Sequence, residues 1–100
     1  MRSIVVSMQN MLLSEAVART LAETGEFRVE QVLPGKTSDT FSLCRAMQAD
    51  ILLMEVSRLP AYTLENRLNL IACVRKVMPS CKFVLLCDEN VDPELAHRVM

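Results

Sequence analysis

The sequence predicts an α/β protein built on an open parallel sheet. Apolar runs of strand length alternate with stretches of helical spacing along the whole chain. Two of the runs, Ile4-Val5-Val6 and Phe83-Val84-Leu85-Leu86, are continuous, as in sheets covered on both faces. The connections are short enough for parallel strands and right-handed crossovers.

In chain order, the first strand is expected over Ser3 to Ser7, at the centre of the sheet. A helix from Met11 to Thr24 follows: Asn10 caps it, Leu13, Ala16, Val17 and Leu21 form its apolar stripe, and Gly25 supplies a left-handed stop. Phe27 to Leu33 alternates apolar and polar, marking a strand nearer an edge, closed by Pro34-Gly35. Thr37 or Ser38 caps a second helix that buries Phe41, Cys44 and Met47 and runs to Gln48. Asp50 to Val56 is the third and most hydrophobic strand. A loop through Arg58, Leu59 and Pro60 leads to a third helix, capped by Thr63, with Leu64, Leu68, Ile71 and Val74 inward and Pro79 beyond its end. Lys82 to Cys87 is the fourth strand. Asp92-Pro93-Glu94 then has the cap, first-turn proline and acid of a helix start.

At 100 residues the chain has room for a single domain, 1–100. Eleven basic residues against twelve acidic ones leave no excess for binding a phosphate backbone, so direct nucleic-acid contact is not expected. The apolar runs are too short for a membrane helix and the amino terminus breaks too early for a signal peptide, which points to the cytoplasm. Cys44, Cys73, Cys81 and Cys87 show no metal-binding spacing and read as reduced core thiols. Cys81 and Cys87 bracket one strand, roughly 20 Å apart at about 3.3 Å per residue, beyond disulfide reach.

Ligands of such folds gather at the carboxyl ends of the strands, where this chain places Ser7-Met8-Gln9, Glu55 and Cys87-Asp88. Two glycines, Gly25 and Gly35, cannot build a phosphate-binding loop or a dinucleotide fingerprint. His97 has no nucleophile pattern near it. Met8, Met11, Met47, Met54 and Met78 fall at core spacings as soft filler. Arg67, Arg75 and Lys76 read as a solvated helix face and Tyr62 as a loop residue. Taken alone, Glu55 is a solvated acid at a strand end.

In order and spacing the chain resembles the receiver domain of two-component response regulators, most closely those joined to a helix-turn-helix output domain. The resemblance lies in Ile4 to Val17, in Ala49-Asp50-Ile51-Leu52-Leu53-Met54-Glu55, and in Val74 to Cys87. It implies a flavodoxin-like three-layer sandwich of strand order 2-1-3-4, lacking the family's fifth strand and fifth helix. Family members hold magnesium with an acidic pair after the first strand, accept phosphate on an aspartate after the third, and sense it with a hydroxyl after the fourth. Those places fall here on Met8 and Gln9, on Glu55 and on Cys87. All depart from the pattern, and the loop before Pro60 is one residue longer.

A thioether and a neutral amide do not supply the hard oxygen donors that magnesium demands, so no metal or other cofactor is expected. Glu55 instead carries a constant charge resembling the phosphorylated state. The missing fifth strand, whose lysine contacts phosphate in the family, leaves the fourth strand an open edge and uncovers about 400 Å² of apolar surface.

These readings imply a degenerate, truncated receiver-like domain, not an enzyme. It would be a phosphorylation-independent regulatory module for protein contact or homodimerisation, with DNA reached only through an output domain outside this chain. Two alternatives stay open: a true phosphoacceptor with a rearranged acidic pocket of Glu55 and Asp88, and a small-molecule site in the partly apolar pocket around Met8 and Cys87.

Overall fold

Strands β1 (Arg2–Ser7), β2 (Phe27–Val32), β3 (Ile51–Val56) and β4 (Lys82–Cys87) form one parallel sheet in the order β2-β1-β3-β4. The computed structural model describes residues 1–33 and 39–87. Helices α1 (Met11–Glu23), α2 (Thr40–Met47) and α3 (Leu64–Val77) fill the crossovers, and a 3-10 turn, Pro60–Tyr62, precedes α3. This is the α/β, flavodoxin-like arrangement expected from the sequence. The Pro34-Gly35 turn, the expected caps Thr37 and Ser38, Asp88, His97 and the helix expected from Asp92 lie outside the described residues.

Two apolar layers cover the sheet. On one face Val5, Val32, Leu52, Met54 and Phe83 pack with Cys44 of α2 and with Ile71 and Val74 of α3. On the other, Ile4, Val6 and Met8 pack with Val17 and Leu21 of α1 and with Ile51 and Leu53. β1, covered on both sides, is buried from Ser3 to Ser7. β4 alternates instead: Phe83 and Leu85 join the α2–α3 layer, whereas Val84 and Leu86 are each 38% exposed on the α1 side. Among the described residues its continuous apolar run is thus covered on one face only.

Local signals set most boundaries. Asn10 caps α1, its Oδ1 accepting from Leu13 N at 3.1 Å, and Thr63 caps α3, its Oγ1 accepting from Asn66 N at 3.3 Å. Gly25, at φ +74°, takes the left-handed conformation that follows α1. Asp50 falls just outside β3, and its Oδ2 accepts from Ser3 N at 2.8 Å. Asp39 stands before α2 without capping it through its side chain.

The inward stripe of α1 differs from the expected one. Ser14 and Ala18 are buried, while Leu13 and Ala16 are exposed. Small side chains let the helix approach β2, and the Ser14 hydroxyl is satisfied by donating to Gln31 Oε1 at 2.9 Å. This rotation leaves Leu12 81% exposed and Met11 50% exposed, so Met11 is not core filler. Met8 and Met54 are buried, and Met47 and Met78 pack against the core's edge. Among the thiols, Cys44 and Cys81 are buried and Cys87 partly so, but Cys73 is exposed and not a core residue.

Candidate functional site

The carboxyl ends of β1 and β3 meet the start of α1 and the turn before α3, and polar side chains gather there. Glu55, next to last in β3, points to the α1 side. Its Oε1 accepts from the backbone N–H of Gln9 at 2.7 Å and of Asn10 at 3.3 Å. The partly buried carboxylate therefore secures the β1–α1 connection, and is more than a solvated acid at a strand end. Gln9 itself is exposed, whereas Met8 turns into the apolar layer beneath α1. Cys87 closes β4, paired in register with Val56. The four residues expected to line the pocket thus share one edge of the sheet, with contact described between Gln9 and Glu55.

Beneath this edge lies a residue that the sequence reading placed on a solvated surface. Arg67 of α3 is only 2% exposed. Its Nε donates to the Glu55 carbonyl oxygen at 2.9 Å, Nη1 to Ser7 Oγ at 3.1 Å and Nη2 to the Ser7 carbonyl oxygen at 2.9 Å. A guanidinium has donors only, so Ser7 Oγ accepts from it, and the same hydroxyl shares a hydrogen bond with Thr40 Oγ1, 3.4 Å away and also fully buried. The Arg67 guanidinium further lies 4.6 Å from the centre of the Tyr62 ring. Arg75, by contrast, is exposed on α3 and rests over Phe83, and Lys76 is exposed.

Burial pushes Arg67 down to about 10, partly offset by the nearby Tyr62 and Glu55. That is still far above neutrality, so the side chain is a cation at pH 7. Its three hydrogen bonds run to neutral oxygens, two main-chain carbonyls and a hydroxyl. Tyr62, expected in the loop before α3, is only 5% exposed, and its hydroxyl has no hydrogen-bond partner among the described residues. Burial raises its titration, with Arg67 opposing and Glu55 adding to the shift.

The donor set does not fit the magnesium that the receiver resemblance implies. Met8 offers a buried thioether, Gln9 a neutral amide, and one oxygen of Glu55 is engaged by two amides. Among the described residues no group of three or more His, Cys, Asp or Glu side chains is placed to hold a metal ion.

An apolar cleft of about 510 Å³ opens elsewhere, between β2 and α2, lined by Gln31, Val32, Leu33, Asp39, Ser42 and Leu43. It does not involve Met8 or Cys87. Among the described residues no helix is long and apolar enough to cross a membrane.

A signal for Arg67 does exist in the sequence. It sits at the helical spacing of Leu64, Leu68, Ile71 and Val74, on their side of the helix. Its charge masked that position. A scan against protein-family models finds no match, and the comparison with curated proteins finds none.

Proposed function

We propose that this domain is a receiver-like regulatory module that works by protein contact, without phosphoryl transfer, within a signal-transduction or transcription regulator of the cytoplasm. The engagement of Glu55 carries the reading. A phosphoacceptor presents a free carboxylate oxygen beside a hard cation, whereas Glu55 Oε1 holds the Gln9 and Asn10 amides and its neighbours Met8 and Gln9 are poor ligands for such a cation.

The contact surface in this reading is the α1 side of the sheet towards β4. Val84 and Leu86 of β4 are exposed there, Leu12 and Leu13 of α1 are exposed as well, and self-pairing is the first form expected. β4 is an edge among the described strands and, from Phe83 to Cys87, carries no charge or proline to discourage pairing.

Two measurements test the proposal together. Incubation with acetyl phosphate and magnesium should leave the intact mass unchanged; an added phosphoryl group would favour the acidic-pocket alternative. Sedimentation over a concentration series should show association that Leu86→Lys weakens at least about tenfold, near 1.4 kcal/mol. A monomer throughout would remove self-pairing.

A further inference from the structure

We infer that Arg67 is a resident cation at the carboxyl edge of the sheet, and that it bars divalent metal ions from the ground beside Glu55. The inference deepens the phosphorylation-independent reading and rests on it.

A cation site at this edge would be built from oxygens at the ends of β1 and β3. Two carbonyls of that kind, Ser7 O and Glu55 O, are both taken by the guanidinium, along with Ser7 Oγ. A metal ion entering there would displace three hydrogen bonds of a buried charged donor, each stronger than a neutral bond. It would also come to rest against a fixed positive charge. At 2% exposure, water screens that charge poorly.

The cation is held from every side. Arg67 rises from the first turns of α3, Tyr62 covers its face, and Ser7 connects it to Thr40 at the start of α2. Swinging aside would break its hydrogen bonds to the Ser7 and Glu55 carbonyls and to Ser7 Oγ. The edge therefore carries a buried positive charge held by three hydrogen bonds where an entering ion would have to sit.

The test is a manganese titration of the whole chain, followed by amide resonances. In the native protein manganese should broaden the Gln9, Asn10 and Glu55 amides no more than amides elsewhere; selective broadening there overturns the inference. In Arg67→Gln the same amides should broaden selectively, with apparent affinity at least about tenfold above the native protein. A folded Arg67→Gln that stays unaffected also overturns it. Should that variant not fold, Arg67→Lys decides. Keeping the charge without the planar fork, it should exclude manganese as the native side chain does, and selective broadening in it refutes a charge-based barrier. Failure on any arm is distinct from failure of the interaction reading, which turns on phosphoryl mass and self-association.

Discussion

Glu55 is gripped at both of its ends. Arg67 Nε reaches its carbonyl oxygen at 2.9 Å, while its Oε1 takes the Gln9 amide at 2.7 Å. One residue of β3 thus ties α3 to the start of α1, joining the elements that flank the sheet on opposite faces.

Glu55→Gln keeps an acceptor oxygen for the two amides, whereas Glu55→Ala removes it. The alanine variant should lose about 1–3 kcal/mol in urea unfolding, and the glutamine variant less than half of that. Amide exchange at Gln9 and Asn10 should quicken in Glu55→Ala alone. Equal losses in both variants would assign the effect to charge instead of to the two hydrogen bonds.

Tyr62→Phe removes a buried hydroxyl that has no partner among the described residues while keeping the ring on Arg67. The change should be neutral or stabilising by about 1 kcal/mol, against the usual cost of trimming a buried side chain. A loss above about 1 kcal/mol in chemical denaturation would show that the hydroxyl is bonded in solution.

Burial, with a smaller contribution from Cys81, pushes the Cys44 thiol from 9.0 up to about 12. In the unfolded chain it ionises first, so the stability it contributes is complete below pH 9 and is lost as pH rises towards 12. Urea midpoints measured from pH 8 to pH 11 should fall more steeply for the native protein than for Cys44→Ala. Parallel slopes would mean that the thiol is accessible to water.

Gln48, after α2, adopts a left-handed backbone at φ 53°, with its N–H on Arg45 O and the Ala49 N–H on Cys44 O. Only glycine takes that conformation without strain, so Gln48→Gly should raise stability by about 0.5–1 kcal/mol. A loss on thermal unfolding would show that the glutamine side chain contributes more than the strain it imposes.

The fold was legible because its signals are local. Asn10 and Thr63 cap, Gly25 turns, the β4 run has the length of one strand, and the charges of Arg28 and Glu30 belong to an edge. The helix faces were less so. On α1 the buried side chains are Ser14 and Ala18, whose small size suits close approach to β2 but leaves no hydrophobic mark. The site was hidden further, because a long side chain decouples charge from position: Arg67 stands at a core spacing and satisfies its charge on carbonyls sixty and twelve residues away. No local pattern announces those partners. Tyr62 was obscured likewise, since its contact is with a guanidinium five residues on that the sequence pattern marks as charged.

Among the described strands the two borders of the sheet are unlike. β2 displays Arg28 and Glu30 to water, while β4 displays Val84 and Leu86. If the proposed self-pairing runs through β4, a protomer bare along one margin and guarded along the other would join a single neighbour about a two-fold axis, and both bare margins would be consumed. In the proposed self-association, growth into a fibre would require the charged margin to accept a strand as well, so pairing through β4 would stop at two copies.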